Sequence, residues 1–295
     1  PEAYLHSKDD DIRRLFEEKL FELLNQRYMN KPPKTLADAI VKKLFDGLLT
    51  NTISKALLQL YNSLVDSENY RGSLEDYISH FPISNEVDCW KAHPEHCFSA
   101  LDRKAIIDIT NNLRNNVYLA EKMPLIKARS MNRKANRFIP SCWQDVIALM
   151  EFDNKLLVSC NSFSKVVEFY TGHFAKVDRA IRNLYATYLQ EESIIRPLQE
   201  FYESLNQELL NKWFEYSADY HSDQQGYLVS LFKKEKPRIA VIVGDGVRYE
   251  IADQIAFSLQ EKLKVENCRA QKLSMTGGSN MGISEIKEIK DHFRK

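Results

Sequence analysis

From Asp10 to about Ser230, apolar residues recur at three- and four-residue intervals with very little to stop a helix, since only 9 glycines and 9 prolines punctuate all 295 residues. That period marks amphipathic helices, each burying one stripe. Leu15, Leu20, Leu23 and Leu24 share one segment, Leu36, Ala39, Ile40 and Leu44 a second behind Pro32-Pro33, and Ile53, Leu57, Leu60 and Leu64 a third. Residues 82–100, with Pro82, Pro94 and several polar side chains, predict a loop. The period then resumes through Leu101, Ile106, Ile107, Ile109 and Leu113, and helix is expected to stop near Met123-Pro124. Trp143 to Tyr170 and Val177 to about Phe214 predict extended antiparallel helices. Their aromatics, Tyr185, Tyr188, Phe201, Tyr202, Trp213 and Phe214 among them, are expected to fill a core.

A chain of this length, 44% hydrophobic, can bury a sizeable core and suggests two domains. Lysine plus arginine equals aspartate plus glutamate at 41 each, so bulk charge argues neither for nucleic acid nor for an anionic membrane. No apolar run approaches the roughly 18 residues of a membrane span, and no signal-peptide pattern opens the sequence. Five cysteines, an odd and small number, fit a reducing compartment, so a cytoplasmic location is expected. The first residue is Pro1 rather than methionine, which points to an excised piece.

Two local clusters invite a functional reading. Residues 122–140 carry Lys122, Lys127, Arg129, Arg133, Lys134 and Arg137 with no acid after Glu121. Such a strip either contacts phosphates or is a solvated connector, and its single aromatic, Phe138, favours the connector. Cys89, His93, His96 and Cys97 fall within nine residues. A structural zinc site wants two separated knuckles, whereas His96 and Cys97 are adjacent, so packing cysteines and surface histidines are expected instead.

The C-terminal part changes character. Ile239 to Val243 is a continuous apolar, mostly β-branched run that reads as a central strand of a parallel sheet. It ends at Gly244-Asp245-Gly246, after which Ile251, Ile255, Leu259 and Leu263 trace a helix. Two readings of Asp245 stand: a catalytic or metal-binding carboxylate at a strand's carboxyl end, or the cap of a tight turn. A second strand is expected through Val265 to Leu273. The fold class is therefore mostly α: an N-terminal helical subdomain over 1–123, a basic linker over 124–140, an aromatic-rich helical subdomain over 141–232, and a short α/β segment over 233–295.

Asp245-Gly246-Val247-Arg248-Tyr249-Glu250, with an apolar strand before it and a helix after, resembles the Asp-x-x-Arg-Tyr-Glu start of the PglZ family of BREX phage-defence proteins. The preceding helices, with Val177-Asp178-Arg179, resemble the region ahead of that domain. The resemblance implies the beginning of an alkaline-phosphatase-like parallel sheet and a parent activity of metal-dependent phosphoester hydrolysis. Asp245 would hold a divalent ion, zinc or manganese, Thr276 would be the nucleophile, and Arg248 would touch a phosphate oxygen. Partners would be other BREX proteins. The chain departs from the family at Ser274-Met275-Thr276-Gly277-Gly278-Ser279-Asn280-Met281-Gly282, which lacks the proline expected ahead of the nucleophile. Residues 277–295 leave no room for the later metal ligands, and Asp291-His292 lies in a charged helical pattern. The catalytic domain is thus expected to be incomplete, with or without a metal of its own, and the chain to act mainly as a helical scaffold, with a non-catalytic interaction module as the alternative.

Overall fold

The computed structural model describes residues 8–25, 27, 31–132, 138, 142–219, 229, 233 and 247–263. Every regular element among them is helical. The strands expected at 239–243 and 265–273 lie outside the described residues. No helix among the described residues is long and apolar enough to cross a membrane.

The chain divides into two compact units, Pro1–Met150 with Gln190–Pro197, and Glu151–Leu189 with Leu198–Lys295. In the first, α1 (Asp10–Leu24) starts where the Asp9 carboxylate accepts from the backbone N–H of Asp11 and Ile12. Asn25, in the left-handed conformation with φ 52°, ends it. Pro33 opens α2 (Pro33–Thr50), matching the first-turn preference of a residue that has no N–H to lose. Gly47 of α2 runs so close to the next segment that a Cβ there would meet the Ile53 Cα at 3.0 Å. After α2 come α3 (Lys55–Asp66), α4 (Arg71–His80), α5 (Ser99–Asn111), α6 (Asn116–Ser130) and α7 (Trp143–Met150).

The core of this unit gathers Leu44, Phe45, Leu48, Tyr61, Val65, Phe98 and Leu101. Phe45 meets Phe81 and Phe98 edge-on at 5.0 and 5.1 Å, and Phe81 stacks on Phe98 at 5.7 Å. The loop predicted before Leu101 is present and ends where α5 begins at Ser99. It is pinned from several sides. The Tyr61 hydroxyl donates to the Glu95 carbonyl at 2.8 Å, the His93 N–H donates to the Leu48 carbonyl at 2.7 Å, and Lys104 reaches the carbonyls of Ser84 and Asn85.

Three expectations are corrected here. Helix does not stop at Met123-Pro124: α6 runs through Pro124 to Ser130. Proline removes one backbone bond, but Pro124 lies on the exposed face, where water can satisfy the Ala120 carbonyl left without its donor. The basic strip is not uniformly solvated either. Arg129 is buried, its Nε and Nη2 forming a two-pronged pair with Asp102 at 2.9 and 2.7 Å, while its Nη1 donates to the carbonyls of Pro94 and His96, each at 2.6 Å. The histidines are not both at the surface: His96 is 4% exposed, with Nε2 3.6 Å from Asp102. Burial, the Arg129 charge and His93 hold its imidazole well below the usual pKa. The His96 Nδ1 accepts from the Phe98 N–H at 3.2 Å, a bond that needs this nitrogen unprotonated. Cys97 lies in the core and Cys89 packs against it.

The second unit holds short α8 (Lys155–Val158), α9 (Phe163–Phe169), a π-helical turn over Tyr170–Phe174, α10 (Ala175–Tyr188), most of α11 (Glu192–Tyr216) and α12 (Tyr249–Leu263). The extended helix expected from Trp143 to Tyr170 is interrupted twice. Asp153 accepts from the Lys155 N–H and Ser162 from the Lys165 N–H, so each break ends on a residue suited to starting a new helix. The helix expected from Val177 to Phe214 is likewise two, α10 and α11.

Candidate functional site

The second unit brings four elements to one point beside Arg248-Tyr249-Glu250. Along α10 the buried positions Val177, Ile181 and Leu184 form an apolar stripe, and Asp178 sits inside it. A carboxylate so placed needs donors. It has two: the Tyr170 hydroxyl, from the π turn, donates to Oδ2 at 2.7 Å, and the Tyr202 hydroxyl, from α11, donates to Oδ1 at 2.6 Å. The ring of Phe174 holds both phenols in place, stacking on Tyr170 at 5.8 Å and on Tyr202 at 6.3 Å. Burial and the bond to Asp178 both favour the neutral phenols, so Tyr170 is pushed well above the usual tyrosine range and Tyr202 up to about 12. These hydroxyls are donors at neutral pH, not bases.

The start of α12 completes the cluster. Ile251 and Ala252 donate to the Arg248 carbonyl, so helix begins immediately after Arg248. Tyr249 meets the Tyr170 ring edge-on at 6.3 Å. Glu250 is 2% exposed, and neither of its side-chain oxygens has a hydrogen-bond partner. The nearest cation is Arg182 of α10, whose Nε lies 3.7 Å from Glu250 Oε1, beyond hydrogen-bond distance. Arg182 Nε and Nη2 are themselves buried without a hydrogen-bond partner. Burial raises the Glu250 carboxyl and the Asp178 charge adds to the rise, while the nearness of its own backbone N–H, Arg248 and Arg182 offset part of it. Arg248 remains exposed. Partial burial opposes its charge, but Tyr202, Asp178 and Glu250 together raise its pKa.

Because the folded chain keeps the Glu250 proton to a higher pH than the unfolded chain does, the stability linked to this group is complete below the unfolded value, about 4.3, and falls as pH rises through the folded one. Glu250→Gln carries no such charge. Its melting temperature is expected to match that of the parent near pH 4 and to exceed it at pH 7, measured by circular dichroism at both pH values. A variant less stable than the parent at pH 7 would show that the Arg182 attraction outweighs the burial of the charge.

Of the residues singled out from the sequence, Arg248 lies at this cluster, whereas Asp245 and Thr276 lie outside the described residues, as does Asp291-His292. Among the described residues, no group of three or more His, Cys, Asp or Glu side chains can hold a metal ion. Asp178 and Glu250 do not make such a site: phenol donors occupy both oxygens of the first, and two guanidinium groups flank the second. The described residues therefore do not fit a two-metal centre. Sequence reasoning missed the convergence of Asp178, Arg182, Tyr170 and Tyr202. Its one signal was a carboxylate placed within the apolar stripe of α10. Comparison of the chain with family models, with curated proteins and with solved structures finds no match.

Proposed function

We propose that the chain is the helical scaffold of a PglZ-like phage-defence protein whose parent activity is metal-dependent phosphoester hydrolysis in the cytoplasm, with other BREX proteins as partners. The observation that carries this reading is the division of labour within Arg248-Tyr249-Glu250. Helix α12 starts at Tyr249, four positions after Asp245 in sequence. Tyr249 and Glu250 face the helical unit, and Arg248 stays exposed at the helix's positive end, where backbone N–H groups and a guanidinium together suit a phosphate oxygen. In this reading the Asp178 cluster fixes the base of α12, and Arg248 orients an anionic substrate group. Asp245 and residues outside those described would supply the zinc or manganese ligands, and Thr276 the nucleophile.

The test is hydrolysis of bis(p-nitrophenyl) phosphate with zinc or manganese by the chain and by Asp245→Ala. Metal-dependent turnover that disappears in the variant, with the helical circular-dichroism signal retained, would place Asp245 in the chemistry. Equal rates would remove Asp245 from the chemistry. The second reading, a non-catalytic interaction module, is favoured by regular elements that are all helices among the described residues and by a cluster in which Asp178 is spent on holding α10 to the π turn and α11. It predicts no turnover in either protein.

A further inference from the structure

Two histidines in the loop of the first unit close the same local turn, one after the other. The His93 Nδ1 accepts from the Glu95 N–H at 3.2 Å, and the His96 Nδ1 accepts from the Phe98 N–H at 3.2 Å. Each ring thus holds the backbone two residues ahead, as an aspartate or asparagine does in a turn. The His96 N–H joins the two turns by donating to the His93 carbonyl at 3.0 Å. An imidazole nitrogen accepts only while it carries no proton, so both turns require neutral rings. The second turn also delivers Cys97 and Phe98 to the core, where Phe98 meets Phe45 and Phe81.

The groups around the two rings decide what an added proton would meet. From α6, the Arg129 guanidinium clasps the Pro94 and His96 carbonyls, and its charge, like nearby His93, opposes a second positive charge on the buried His96. From α5, Asp102 faces the His96 Nε2 at 3.6 Å, but both its oxygens already accept from Arg129. His93 is only partly buried. Burial still holds it below its ordinary value, with Glu95 offsetting part of the effect. From α3, Tyr61 donates to the Glu95 carbonyl, and burial keeps both this phenol and the Cys97 thiol neutral. Helix α2 meets the segment through the uncharged Leu48 carbonyl, which accepts from the His93 N–H.

We propose that residues 93–98 form a proton-released latch: neutral imidazoles fasten the segment, and a proton on Nδ1 breaks each turn and loosens the backbone that leads into α5. The folded segment takes up these protons less readily than the unfolded chain does. The stability they support is therefore complete above the unfolded value, about 6.5, and falls as pH drops below it. A histidine that stays neutral in the closed segment and charges in the open one favours opening about tenfold more at pH 5.5 than at pH 7.5. The proposal concerns the first unit alone and holds whether or not the parent protein hydrolyses phosphoesters.

The test is amide hydrogen exchange of the whole chain, followed by NMR and corrected for the intrinsic pH dependence of exchange. The Glu95 and Phe98 amides are expected to lose protection about tenfold or more between pH 7.5 and pH 5.5, while those of α10 do not fall with them. Asparagine places its Oδ1 where histidine places Nδ1, and that oxygen accepts without titrating. His96→Asn should therefore keep Phe98 protected at pH 7.5 and remove its pH dependence, and His93→Asn should do the same for Glu95. If the buried substitution prevents folding, His93→Asn alone decides. Equal protection of both amides at the two pH values in the parent overturns the proposal. So does an asparagine variant whose amide still loses protection in acid, which would assign the charge elsewhere. An amide left unprotected at pH 7.5 by the asparagine likewise overturns it, since the nitrogen would then not be the acceptor. None of these readouts involves phosphoester turnover, so failure here is separate from failure of the hydrolase reading.

Discussion

Arg129→Ala is expected to lower the unfolding free energy by about 3–5 kcal/mol, the usual cost of removing one partner from a buried pair, and urea denaturation will measure it. The guanidinium ties three segments at once: Asp102 on α5, the carbonyls of Pro94 and His96 in the loop, and its own helix α6. Its loss leaves the Asp102 carboxylate buried beside the uncharged His96 imidazole, whose Nε2 lies 3.6 Å away. Arg129→Lys should recover little of the loss, because an ammonium cannot present the fork that reaches both carboxylate oxygens and the two carbonyls together. A lysine variant as stable as the parent would show that charge alone, rather than geometry, fastens the loop.

Asp178→Ala is the second large effect. It removes the acceptor of two half-buried phenols, each at a cost below the about 1–3 kcal/mol of a fully buried unmet donor because water and, for Tyr202, Asn206 take up part of the bond, together with the negative neighbour of Arg248. Tyr170→Phe and Tyr202→Phe should each cost less than Asp178→Ala, since each removes only one of the two bonds. Combining the two phenylalanine changes should bring the Asp178→Ala penalty down, because the donors it strands are then gone. A double-mutant cycle by thermal unfolding measures this coupling. Strict additivity would show that the phenols find other partners.

The two cases show what local pattern can and cannot reveal. Helical periodicity placed α1, α2, α3 and α5 and the loop before Leu101, because each depends on which residues of a short window are apolar. It failed at Pro124, where a breaker is tolerated because of the face it occupies, a property of the packed helix rather than of the residue. Arg129 read as part of a basic strip because its partner Asp102 lies 27 positions away, a separation no window spans. His96 was misplaced for the same reason. At the candidate site, Tyr202 was read correctly as packing material, but its hydroxyl's partner lies on another helix, 24 positions earlier. Attention fell on Arg248, Tyr249 and Glu250 through a family resemblance rather than through periodicity, and what the structure adds is the burial of Glu250 and the edge-on contact of Tyr249 with Tyr170.

The eight residues Gln190–Pro197 belong with Pro1–Met150, although the chain has by then already built α8, α9 and α10 of the other unit. Ile194, within that short return, is completely buried. A ribosome finishing residue 150 has accordingly not yet made everything the first unit requires, and a gene cut at that point would encode a protein missing a piece of its own interior. Evolution could not have exchanged either half as a simple cassette, and separate expression of the two is expected to need this return grafted back on.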